Sequence, residues 1–170
     1  MTDRNAEGRS VFAQDSATEP DTVLGLEIHN IWGTGDGIAV VGAGDNPETV
    51  PFPFFPGSGG TRFIVVRFPP ESAEPAGGDP EEAAAEAERR QPGLIGVFEP
   101  DNPGMHTTDS VDYGVCVEGE IYLELDDGAE VHVTPGTCVV QRGTRHAWHN
   151  RSDRPCTMVY VLVGAERKSG

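Results

Sequence analysis

Positive charge is scarce in this chain. Lys and Arg number 12 against 28 Asp and Glu, a formal charge of −16 over 170 residues. Nucleic-acid binding needs clustered cations to neutralise phosphates, and docking on an anionic bilayer needs a basic patch, so the balance argues against both partners. Long apolar runs are also missing. No stretch approaches the ~18 consecutive apolar residues that span a bilayer. The first fifteen residues are polar and mixed in charge, unlike a secretory signal. Cysteine is sparse: Cys116, Cys138 and Cys156 are odd in number, show no CxxC spacing and sit in apolar, strand-like runs. They read as reduced, packed thiols of a cytoplasmic protein and not as a disulfide framework. Long helices are disfavoured by 22 Gly and 14 Pro, and no internal repeat is visible.

What is present changes character along the chain. Residues 1–24 are polar and read as a flexible N-terminal arm. Gly25–Trp32 alternates as a strand with a phase slip at Asn30, which predicts a bulge. Residues 33–60 are rich in Gly and Pro and carry Phe52, Phe54 and Phe55, a candidate apolar lid. Thr61–Phe68 is β-branched and aromatic and stops at Pro69-Pro70, which predicts a strand. Asp79, Pro80, Glu81 and Glu82 fit an N-cap, a first helical position and an acidic first turn. The run that follows, EEAAAEAERR, has high helix propensity and almost no apolar face, so it reads as one short acidic surface helix.

From residue 104 the pattern becomes regular. Val111–Val117, Ile121–Leu125, Glu130–Val133, Thr137–Gln141, Arg145–Asn150 and Thr157–Val163 read as short strands. Turn signals separate them, including Asp127-Gly128 and Pro135-Gly136. Even spacing of this kind predicts an all-β fold, an antiparallel sandwich or barrel. The chain thus divides into an arm (1–24), a middle part of strands, loop or lid and helix (25–103), and a barrel core (104–165).

Barrels of this size hold ligands where inward polar groups converge in an apolar interior. His106 and Thr108 share a strand face, Asp112 begins the next strand run, and His146 shares parity with Trp148 and Asn150. These residues resemble the two motifs of the cupin superfamily. HTT at 106–108, Asp112 and Gly119 follow the first motif, with Thr108 at its second histidine and Asp112 at its glutamate. PGTCVVQRGTRHAWHN, Pro135 to Asn150, follows the second, with Gln141 where a proline is usual. More narrowly, HTTDSVDYGV with VVQRGTRHAW is similar to a subgroup of small single-barrel cupins with an N-terminal arm or lid.

The resemblance implies a cupin-type antiparallel β-barrel (jelly roll) and a small organic substrate. It implies a divalent transition metal (Fe, Mn, Ni or Zn) held by His106, Asp112 and His146, which are also the candidate catalytic residues. Thr108, Trp148 and Cys116 would contact substrate or support the ligands. It implies a homodimer joined through outward sheet residues such as Tyr113, Val115 and Val117. Three functions follow: a metal-dependent enzyme with lyase, decarboxylase, isomerase or dioxygenase chemistry; a metal-free acid/base dehydratase or lyase using His106 and His146; or a non-catalytic small-molecule binding module.

Overall fold

The computed structural model describes residues 1–41, 53–73 and 79–168. Two antiparallel sheets enclose the core. The larger has six strands: β3 (Asp21–Val23), β4 (Leu26–Thr34), β5 (Thr61–Phe68), β11 (Cys156–Gly164), β6 (Ser110–Glu118) and β9 (Cys138–Arg142), in that spatial order. The smaller has three, ordered β10 (Ala147–His149), β7 (Ile121–Glu124) and β8 (Glu130–Val133). A separate hairpin pairs β1 (Thr2–Arg4) with β2 (Ser10–Phe12). This is an all-β jelly roll of the cupin type with one α-helix, α1 (Pro80–Arg90).

Period-two alternation decides which side chains reach the interior. On β6, Ser110, Asp112, Gly114 and Cys116 point in, while Tyr113 and Val117 are exposed. On β11, Met158, Tyr160 and Leu162 point in against them. Ile64 and Val66 of β5 and Ile28 of β4 extend the inner wall, and Ile121, Leu123 and Val133 face it from the small sheet. Strands from before and after residue 104 therefore share one sheet and one core.

The N-terminal 24 residues carry more order than their polar composition predicts. They hold the β1–β2 hairpin, and β3 pairs with β4 through Asp21–Ile28, Thr22–Glu27 and Val23–Leu26. The phase slip at Asn30 is a real irregularity: the β4–β5 register shifts between Asn30 and Trp32. Asp79 caps α1, its carboxylate accepting from Glu81 N at 2.9 Å. The helix is not wholly a surface element. Ala87 is buried, and Gln91 at its C-terminus is fully buried, accepting from Asn30 Nδ2 at 3.1 Å and donating to Asp21 at 2.7 Å. Small alanines give the helix a narrow packing stripe that a search for large apolar residues overlooks. Phe52 of the aromatic cluster lies outside the described residues, while Phe54 is buried and meets Phe55 edge-on at 4.9 Å.

Candidate functional site

Between the sheets lies a cavity of about 500 Å³. Its walls are mainly hydrocarbon: Phe54, Phe68, Leu94, Phe98, Ile64 and Leu162 are among them, and Ala84 of α1 contributes. The polar side chains that line it are His106, Asp112, Gln141, His146, Trp148 and Tyr160.

His106 and His146 are brought together by the main chain. His106 N donates to His146 O and His146 N donates to His106 O, both at 2.9 Å, an isolated antiparallel bridge that joins two loops. The two rings then lie 4.1 Å apart between centroids, and Phe98 covers the far side of His106 at 4.9 Å. Nδ1 of His106 sits 3.0 Å from Gly104 O, and Nδ1 of His146 sits 2.9 Å from Thr144 O. A carbonyl only accepts, so each Nδ1 carries the proton and each Nε2 keeps its lone pair in the neutral ring. Burial pulls both imidazoles below the ordinary histidine range. For His146, burial and then the neighbouring His106 bring the value down to about 4. An ion-pair anchor steadies the same loops. Arg145 grips both oxygens of Glu99 at 2.6 and 2.7 Å and donates to Asp126 at 2.9 Å.

Asp112 stands on the inner wall of β6, directly opposite Gln141 of β9. It is 6 % exposed, and burial raises its carboxyl to about 6, against the opposing effect of the Ser110 hydroxyl. Among the described residues its Oδ1 has no hydrogen-bond partner, nor do Gln141 Nε2 and Tyr160 Oη. Buried polar atoms are almost always paired, so three orphans on one cavity wall mark a place for a ligand or water. Tyr160 reaches this wall because its register partner is Gly114; a Cβ there would meet Tyr160 Cε1 at 2.8 Å.

Two residues expected at the substrate are not among those lining the cavity. Thr108 is buried, and its Oγ1 accepts from Ser110 Oγ at 2.9 Å. Cys116 shares the Asp112 face, but four residues along a strand is roughly 13 Å, and it ends beside Cys156 with the sulfurs 3.9 Å apart. Trp148 does line the cavity, packed edge-on to Tyr160 at 5.9 Å. His149, the neighbour of Trp148 on β10, is held between Glu71 at 2.6 Å and Glu124 at 2.7 Å. Gln141 and Tyr160 were not anticipated as site residues. The signal for Gln141 was its place where the second motif has proline; Tyr160 carried none.

Among the described residues no group of three or more His, Cys, Asp or Glu side chains is placed to hold a metal ion. Thr108 stands at the second histidine position, and Asp112, although it lines the same cavity, is not grouped with the two imidazoles as a third ligand. Catalytic centres usually hold a metal with three protein ligands, so the residues present do not match a resident divalent metal.

Residues 96–162 match the Cupin_2 family, described as the cupin domain. This segment is similar to the cupin superfamily. Over 63 residues, 36% of this chain, it is 48% identical to "Phomopsin biosynthesis cluster protein C'" of Diaporthe leptostromiformis. Over 65 residues, 38% of the chain, it is 46% identical to "Oryzines biosynthesis cluster protein J" of Aspergillus oryzae, and over 62 residues, 35% of the chain, it is 40% identical to "Cupin-domain-containing oxidoreductase virC" of Hypocrea virens. These alignments cover 33%, 36% and 32% of those proteins, so the chain matches about a third of their length. The cupin domain contributes both histidines, Asp112, Gln141, Trp148 and Tyr160, while the other wall of the cavity comes from residues outside it. Among the described residues no helix is long and apolar enough to cross a membrane.

Proposed function

We propose that this protein is a small-molecule enzyme that moves a proton on a substrate enclosed in the cavity, without a resident metal. The observation that carries this reading is the pairing of a buried and a half-buried imidazole with a buried carboxylate, one oxygen of which is unpaired, in one apolar cavity. Asp112 is the general base. A carboxyl near 6 is ionised at neutral pH yet basic enough to take a proton from carbon or oxygen, the range in which side-chain bases work well. His106 and His146, neutral at that pH, accept hydrogen bonds through Nε2 and so orient a substrate hydroxyl. The apolar walls keep water from competing for the proton. Isomerisation is the step this set balances by itself: Asp112 takes a proton from one substrate atom and returns it to another. The matched segments of proteins named as biosynthesis-cluster proteins and oxidoreductases support small-molecule chemistry as the setting.

The metal-dependent alternative draws on the family resemblance, and the donor set weighs against it. Activity measured before and after dialysis against a chelator separates the two. Retained activity that disappears in His146→Asn supports proton transfer; complete loss, restored by one divalent metal, overturns it.

The partner that the outer face best suits is a second copy of the chain. Trp32, Phe63, Val161, Tyr113 and Val140 are register neighbours across five strands and all are exposed. This row carries no carboxylate. On a chain of charge −16, it offers a surface where two copies approach without opposing acidic groups. Face-to-face sheet packing would bury it.

A further inference from the structure

The cavity holds polar atoms that the proton-transfer reading leaves unused. Gln141 and Tyr160 are each more than nine-tenths buried, both line the cavity, and Gln141 Nε2 and Tyr160 Oη have no partner. Gln141 is oriented: its Oε1 accepts from Thr144 Oγ1 at 2.9 Å, which leaves the amide NH₂ as the free end. Tyr160 is held by Trp148 on one side and lies across Gly114. Asp112 is the register partner of Gln141, and its free Oδ1 belongs to the same wall. A donor, an acceptor and a hydroxyl that can do either are therefore fixed together, surrounded by hydrocarbon.

We propose that Gln141 and Tyr160 are specificity-determining residues that select an uncharged, mainly hydrocarbon ligand bearing a hydroxyl. That hydroxyl accepts from Gln141 Nε2 and Tyr160 Oη and donates to Asp112 Oδ1, so all three orphans are satisfied by one group. An anionic ligand is rejected. No Lys or Arg lines the cavity, and Asp112 already supplies the negative end. Carboxylates and phosphates would enter without a counter-charge, at a high desolvation cost. The ring-rich walls, with Phe54, Phe68, Phe98 and Trp148, accept a flat or aromatic body, and the volume suits a drug-sized molecule. This assignment takes the cavity as the substrate site, as above, but needs neither imidazole to be catalytic.

Equilibrium dialysis of the full chain at pH 7.5 against naphthalene, 2-naphthol and 2-naphthoate tests it, since the three share a body and differ in the polar group. The wild type should bind 2-naphthol about 10-fold more tightly than naphthalene, as expected for two net hydrogen bonds, and at least about 10-fold more tightly than 2-naphthoate. Tyr160→Phe and Gln141→Leu should each cut the 2-naphthol preference about 5-fold while leaving naphthalene within about 2-fold. Should Gln141→Leu fail to fold, Tyr160→Phe decides alone, because it removes one oxygen and nothing else. Equal or tighter binding of 2-naphthoate overturns the proposal. So does an unchanged preference in the variants, or no binding of any of the three. The His146→Asn activity assay is a separate readout. Its failure removes the proton-transfer reading and leaves the selectivity standing, whereas failure of the dialysis series leaves the imidazoles untouched.

Discussion

The two faces of the six-stranded sheet are built from the same strands and differ by one residue of register. Inward, Asp112, Gly114 and Cys116 alternate with outward Tyr113, Val115 and Val117. Across β11, inward Tyr160 and Leu162 alternate with outward Val161 and Val163. Both faces are apolar on average, so hydrophobicity does not distinguish them. What does is the treatment of polar atoms. The inner face buries one carboxylate oxygen, one amide nitrogen and a phenol oxygen that have no partner among the described residues, while the outer row has no charged group along its five residues. A fold that only needed stability would have placed hydrocarbon inside. The inner face carries an energetic cost that only a function explains.

The largest expected effect falls on the inner face. Asp112→Asn, which removes the base, should lower kcat by about 10²- to 10⁴-fold, and His106→Asn and His146→Asn, which lose the Nε2 acceptors that orient the substrate, by about 10²-fold each, while the circular dichroism of the variants stays native. Comparable turnover in all three variants would leave the inner face as a binding surface.

Asp112→Asn also acts on stability, in the direction opposite to its effect on activity. Activity should collapse, and in the wild type kcat/KM should fall as pH drops below about 6, where the base becomes protonated. For stability, the unfolded carboxyl ionises near 3.8 and the folded one near 6, so burying the charge costs nothing below the lower value. The cost develops as pH rises between the two and is complete above the higher. A shift of that size corresponds to at most about 3 kcal/mol. Urea unfolding at pH 8 should therefore find Asp112→Asn more stable than wild type, with the gain vanishing near pH 4. Lower stability of Asp112→Asn at both pH values would show that the carboxylate has an unseen partner.

Gly114→Ala tests how closely the inner wall is packed. Its new methyl would press on the Tyr160 ring, and overpacking of this kind costs about 1–3 kcal/mol. An unchanged unfolding midpoint would mean that the phenol moves freely. The smallest stability effect belongs to the outer face. Tyr113→Glu should alter monomer stability by no more than about 0.5 kcal/mol. In light scattering after size exclusion it should shift a dimer toward monomer. A wild type that is monomeric at high micromolar concentration would separate the row from self-association.

The barrel strands were legible because alternation and turn residues act locally. Glu130–Val133 and Thr61–Phe68 coincide with β8 and β5, and even the bulge near Asn30 left a visible slip in phase. The His106–His146 meeting was legible through two motifs, although 40 residues separate them. The rest depended on tertiary packing. Polar composition concealed the strands of residues 1–24: a hairpin of two three-residue strands, and β3, whose partner β4 lies beyond the segment. Cys116 shared the correct parity with Asp112, but parity fixes a face and says nothing about distance along it. Tyr160 resembles any aromatic in a buried strand, and only its placement over Gly114 turns it toward the cavity wall.

The junction between the two histidine loops has an evolutionary corollary. Its two hydrogen bonds run between peptide groups, so the scaffold does not require imidazole at either position. A descendant that lost both rings would keep its architecture and its ability to enclose a guest. Whatever the two rings do is therefore separable from the peptide links that shape the enclosure.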